Sequence, residues 1–164
     1  MEQKYIYSFF QIEDKVKALH KTNAEAAIAV ALSWLGLSCD ELKTLRISDY
    51  NSAMRMLHTA GRVVYVREDT IADMLKGICE KAPEYSMGFF ITDVNSAYEA
   101  AEKQGLSPIS VLKMRYFYEK HSAKLSGEPE DRVFLKEILR SIGESEADME
   151  KQFAEYENGA PEKI

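Results

Sequence analysis

Apolar and polar positions along the chain follow two different periods, and the changes of period mark out its elements. In Gln11 to His20 the apolar residues Ile12, Val16 and Leu19 recur at helical spacing, which predicts an amphipathic helix. Thr22-Asn23 supplies capping side chains for a second helix that runs through Leu35. Ala, Ile, Val, Leu and Trp34 fill that second segment, so it is apolar nearly all round and is expected to be the central buried helix. Gly36 can end it. Ser38-Cys39-Asp40-Glu41 then has the S-x-x-E form of a capping box, which predicts a short helix starting at Ser38.

Between Ala53 and Val66 the texture changes. Met54 and Met56, then Ala60-Gly61, then Val63, Val64, Tyr65 and Val66 give the β-branched and aromatic pattern of a hairpin around a Gly-containing turn. Helical spacing returns afterwards. Asp69-Thr70 opens a helix through Lys81, and Asn95 or Asp93 caps another through Gln104, which Gly105 ends. Ser107-Pro108 puts Pro in a first helical turn, with Ile109, Leu112, Tyr116 and Lys120 along one face. Helices from about Pro129 to Ile142 and from Ser145 to Glu157, separated by Gly143, complete the set. The expected class is α+β, mainly α-helical, with a small antiparallel hairpin or sheet on a helical bundle.

Length and composition narrow the picture. A chain of 164 residues, 46% apolar and 29% charged, has the composition of one folded globular domain. No repeat or linker divides it, so a single domain over 1–159 and a frayed tail over 160–164 are expected. No apolar run approaches the ~18 residues a membrane span needs; the longest, Ala26 to Leu37, is broken by Ser33 and Gly36. The segment Met1-Glu2-Gln3-Lys4-Tyr5 lacks the form of a secretory signal, and a cytoplasmic location is expected. Cys39 and Cys79 suit reduced thiols better than a disulfide framework. His20, His58 and His121 lie far apart with no ligand spacing near them, so neither a metal nor a cofactor is expected. No phosphate-binding loop, dinucleotide fingerprint, G-x-S-x-G or H-E-x-x-H motif occurs.

The net charge of −6 conceals an alternation. Residues 43–67 and 103–124 each carry +4, while 1–42 carry −2 and 68–102 and 125–164 carry −6 each. Two basic blocks therefore sit in an acidic frame. Brought together by the fold, they could make a local positive face for a phosphate backbone; left apart, they are ordinary solvated surface.

The run from Ala31 to Tyr50 resembles the first box of the tyrosine recombinases, the phage integrases, through Gly36, Leu37, Glu41, Leu42, Leu45 and Asp49. The hairpin Leu57 to Val66, followed by Glu68-Asp69-Thr70-Ile71, is similar to the integrase hairpin and the helix behind it. Leu112-Lys113-Met114-Arg115 stands in the place of the His-x-x-Arg box, and Ile142-Gly143-Glu144-Ser145 in that of the Leu-Gly-His turn. The resemblance covers nearly the whole chain and corresponds to the catalytic domain, without the core-binding domain integrases carry upstream. It implies an integrase-like fold and a duplex DNA partner.

The departures from that family's pattern concern its chemistry. Integrases attack a phosphodiester with a tyrosine hydroxyl while two arginines hold the non-bridging oxygens. The resemblance puts the first arginine position on Ser38, the hairpin lysine on Thr59 beside His58, and the histidine of His-x-x-Arg on Leu112. Arg115 alone is retained there. The later His or Trp falls on Glu144 and the nucleophile on Phe153; Tyr156, a helical turn further on, is an alternative nucleophile.

Three readings follow. In the first, the chain is a DNA-binding protein on a scaffold incompetent for cleavage, a regulator or accessory factor of a mobile element, with Lys43, Arg46, Arg55, Arg62, Lys113 and Arg115 as phosphate contacts. In the second, it is a protein-interaction module that self-associates through Ser145 to Glu157, anchored by Met149 and Phe153. In the third, it is an active recombinase that uses Tyr156.

Overall fold

The apolar segment after Asn23 forms helix α2 (Ala24–Trp34), and every side chain from Ala26 to Trp34 is buried. An all-round apolar helix has no face to give to water, so the other elements wrap it. The computed structural model describes residues 9–59, 61–81 and 88–157. Within it, α1 (Glu13–Thr22), α4 (Asp69–Lys81), α5 (Val94–Lys103) and α6 (Pro108–Ser126) all pack on α2, and α7 (Arg132–Ile142) packs on α6. Helix α8 (Glu146–Glu157) closes the bundle by burying Met149 and Phe153, with the Phe153 ring stacked 6.3 Å from that of Phe117 in α6.

Local chemistry sets the helix starts. The Asn23 side chain accepts from the Ala26 amide, Asp93 from Ser96 and Ser107 from Ser110, each satisfying a first-turn N–H with no partner of its own. Two helix starts differ from the sequence expectation by about two residues or more. Helix α1 begins at Glu13 rather than Gln11, because Phe9–Gln11 forms a separate 3₁₀ turn. Helix α7 begins at Arg132 rather than near Pro129, because the Asp131 carboxylate accepts from the Phe134 amide and acts as its cap.

Short helix α3 (Cys39–Thr44) leads through a second 3₁₀ turn to a three-stranded antiparallel sheet of order β1 (Tyr50–Asn51), β2 (Met56–Thr59), β3 (Arg62–Tyr65). Tyr50 pairs with Leu57, and Leu57 with Val64. All three are buried, whereas Val63 and Tyr65 alternate outward into solvent. The class is mainly helical with a small antiparallel sheet, as the periodicities imply. Among the described residues no helix is long and apolar enough to cross a membrane.

Candidate functional site: the cleft beneath the hairpin

The site begins where α2 ends. Gly36 turns the chain with φ of 91°, a left-handed conformation that favours glycine, and a Cβ there would stand 2.5 Å from the Phe134 ring. Close approach of α7 to this turn therefore requires glycine twice over, for its backbone angle and for its missing side chain. Two residues on, Ser38 caps α3. Its hydroxyl accepts from the Glu41 amide at 3.1 Å and its own amide donates to Glu41 Oε1 at 3.0 Å, completing the capping box.

Glu41 does more than cap. Arg62 of β3 donates through Nε to Oε2 at 3.0 Å and through Nη2 to Oε1 at 2.6 Å, and Nη2 also reaches the Gly36 carbonyl at 2.9 Å. Only 15% of the arginine side chain and 12% of the glutamate side chain are exposed, so this bidentate pair is largely removed from water. Burial pushes the Glu41 carboxyl upward, but the hydrogen bonds from Arg62 and from the Ser38 amide outweigh it and hold the group below its ordinary value.

Arg115 arrives from α6. Its Nε and Nη2 both donate to Glu119 Oε1, at 3.0 and 2.6 Å, and Nη1 donates to the Trp34 carbonyl at 3.2 Å. The guanidinium carbon lies 5.1 Å from the Trp34 ring, 5.2 Å from Tyr118 and 5.4 Å from Phe134. The Arg62 guanidinium carbon is 5.7 Å from that same Phe134 ring. The fold thus brings the two basic blocks of the sequence to one aromatic side chain.

Around them lies a cleft of about 290 Å³, lined by Arg62, Arg67 and Arg115 and equally by Glu68, Glu119 and Asp131. Three cations against three carboxylates leave it close to neutral. Val63, Tyr65 and Val133 form its exposed apolar rim.

The remaining described sequence candidates lie outside the lining of this cleft. Lys113 pairs with Glu144 at 3.5 Å and Arg55 with Asp69 at 2.8 Å. Arg46 lies 4.6 Å over the Phe89 ring, and Lys43 is exposed at the end of α3. Ser38 is buried as a cap, and the Thr59 hydroxyl donates to the Arg62 carbonyl at 3.3 Å. Leu112 is fully buried, and Phe153 is buried against Phe117. The Tyr156 side chain lies outside the described residues. Met149 and Phe153, expected as anchors for a second copy, are buried in their own domain.

Two residues escaped the sequence reading. Arg67 stands exposed in the cleft lining, and no described carboxylate pairs with it; its place in the first basic block was the available signal. Lys120 is a buried lysine whose ammonium donates to Glu150 of α8 at 2.8 Å and to Glu130 at 3.0 Å. Burial alone would lower its pKa, but those two carboxylates reverse the effect and raise it. It ties α6 to α8 and to the segment before α7.

No protein-family model matches the chain, and no curated protein matches it. Among solved structures, the crystal structure of XerA recombinase superposes with a TM-score of 0.57 at 13% identity, over 93% of this chain and 60% of that one. The arrangement of helices around α2, with the hairpin set across the cleft, has the fold of a tyrosine recombinase domain.

Proposed function

We propose that the chain is a DNA-binding protein on a recombinase-type scaffold that does not cleave DNA, acting as a regulator or accessory factor of a mobile element. The observation that carries this reading is the state of the two arginines in the cleft. A phosphoryl-transfer site needs guanidinium donors free to meet the charge that develops on phosphorus. Here Glu41 and Glu119 take those donors at 2.6–3.0 Å. Phe153, at the position the resemblance gives to the nucleophile, has no hydroxyl and faces Phe117.

With Arg62 and Arg115 engaged internally, phosphate contacts fall to Arg67 in the cleft lining and to Lys43, exposed at the end of α3. A surface of this kind reads backbone rather than sequence. The test is fluorescence anisotropy of a labelled duplex at 50 and 200 mM salt. With two phosphate contacts the affinity falls roughly 12-fold between those concentrations, and the Lys43→Glu, Arg67→Glu double variant loses binding to all duplexes alike. Binding that is absent at 50 mM, or indifferent to salt, overturns the reading.

A further inference from the structure

The cleft beneath the hairpin follows one strand. Val63, Val64 and Tyr65 of β3 all line it, together with Val133 and Phe134 of α7. Successive side chains of a strand point to opposite faces, so a cleft lined by three in a row lies along the strand's edge. That edge is the outer one of the sheet, since β3 pairs only with β2. The alternation of an antiparallel ladder decides which backbone groups the pairing uses. The Val66 amide donates to the Arg55 carbonyl at 2.9 Å, so Val64 and Arg62, two and four residues earlier, also turn their N–H and C=O toward β2. Val63 and Tyr65, opposite His58 and Met56, turn theirs away from it. No other backbone hydrogen bond engages Val63 or Tyr65 among the described residues.

Sheet edges that must stay unpaired are commonly closed by a lysine, a proline, a bulge or a covering segment. Strand β3 reads Arg-Val-Val-Tyr, and its register with β2 runs without a bulge. Val63 and Tyr65 are 44% and 60% exposed, and Val133 of α7 adds 72% exposed apolar surface to the same cleft. Most charged groups of the lining are already committed. Arg62 is held by Glu41 and Arg115 by Glu119; Glu68 accepts from the Trp34 indole N–H at 3.1 Å, and Asp131 caps α7. Arg67, two residues past the end of β3, is exposed and has no carboxylate partner among the described residues.

We infer that the cleft is a docking groove for an extended segment of a partner protein, which adds to β3 as a fourth strand. Donors and acceptors that alternate at strand spacing are matched by another polypeptide backbone, whereas a phosphate chain offers acceptors alone. Backbone bonds to Val63 and Tyr65 set the register of the segment. Its alternate side chains cover Val63, Tyr65 and Val133, and an acidic residue level with the end of β3 meets Arg67. The segment and a duplex both call on Arg67, so each excludes the other; the inference itself rests on the strand edge and not on DNA binding.

The test is an amide NMR titration of the full chain with a capped peptide of alternating valine and threonine carrying one glutamate. The expected result is a saturable shift centred on the Val63 and Tyr65 amides. Methylating alternate peptide nitrogens removes the donors that face β3, and the shift is lost in one of the two methylated registers while the protein itself is unaltered. Val63→Pro deletes one edge donor without touching the ladder to β2 and weakens binding about fivefold. Arg67→Glu also weakens it about fivefold, and exchanging the peptide's glutamate for lysine restores it. No shift at millimolar peptide, shifts indifferent to methylation in both registers, or shifts gathered away from β3 overturn the assignment. So does a mass that doubles with protein concentration alone while the Val63 and Tyr65 amides become protected, since a second copy then fills the edge. Duplex binding with no response to peptide overturns this inference and leaves the DNA reading standing; peptide binding with no response to duplex does the reverse.

Discussion

The cleft beneath the hairpin and a second cavity of about 390 Å³, lined by Phe10, Trp34 and Tyr118 and by Glu13, Glu68 and Asp69, meet at Glu68, yet their electrostatics are opposed. Beneath the hairpin Arg62 and Arg115 have each found a carboxylate within the chain, and Arg67 alone among the lining cations has none among the described residues. In the aromatic cavity the carboxylates line a space that holds no cation of the described chain. One region has turned its charges inward and become structure, while in the other Glu13 and Asp69 hold pairs that are partly in solvent. Proximity to the cleft of a recombinase-type fold is therefore no guide to which residues meet a ligand; the internal partner of each charge is the better guide.

The sharpest way to break this contrast is to remove one side of the buried pair. Arg62→Met leaves Glu41 charged, half-buried and held by the Ser38 amide with no cation beside it, and should cost about 3–5 kcal/mol in urea unfolding. The Glu41→Met, Arg62→Met double variant should recover much of that loss. Next in size is Gly36→Ala, which meets the Phe134 ring at 2.5 Å and forces a left-handed backbone on an L-residue. About 2–4 kcal/mol is expected, against about 1 kcal/mol for Gly61→Ala, where φ is 90° and the space around it is open. Arg115→Met should cost less than Arg62→Met, about 1–3 kcal/mol, because Glu119 keeps access to water once released.

A pH series sharpens the comparison at smaller effect. The Glu41 carboxyl is held below its ordinary value of 4.5 in the folded chain, so its contribution is complete above that value and is lost as pH falls through the lower folded pKa. The thermal midpoint should drop across that acid window, and the part due to this group should vanish in Glu41→Gln. Lys120 has the opposite sign. Its raised pKa gives stability that is full below the ordinary lysine value of 10.5 and is lost only as pH rises through the folded one. Lys120→Met should abolish the part of the alkaline loss that is due to this group. Smallest of all, Arg55→Ala removes a solvent-exposed pair and should leave the midpoint where it is.

How much of this was readable beforehand depends on the distance between partners along the chain. The all-round apolar run of α2, the Ser38–Glu41 capping box, the Gly61 hairpin and the Asp93 and Ser107 caps are signals within four residues, and the fold follows them. The α7 start was misplaced because Pro129 and Asp131 both carry helix-start chemistry two residues apart, and the amide accepted by Asp131 decided between them. Arg62 lies 21 residues from Glu41, and Trp34 lies 34 from Glu68; no periodicity encodes such pairs. The Arg115–Glu119 pair is different, since its i,i+4 spacing is visible in the sequence. What was hidden there was the burial that makes the pair matter.

The seat of Ser38 also bears on whether the fold could accommodate an arginine at that position. In the resemblance this position belongs to a catalytic arginine, but here the side chain is 1% exposed and its hydroxyl holds the first turn of α3. Ser38→Arg would discard a cap worth about 1 kcal/mol and drive a guanidinium into a space filled by its neighbours. Glu41, already committed to Arg62, would then face two arginines with one carboxylate. An arginine at this site is uphill until the surroundings change first, so the cap and the packing around it hold the position against that exchange.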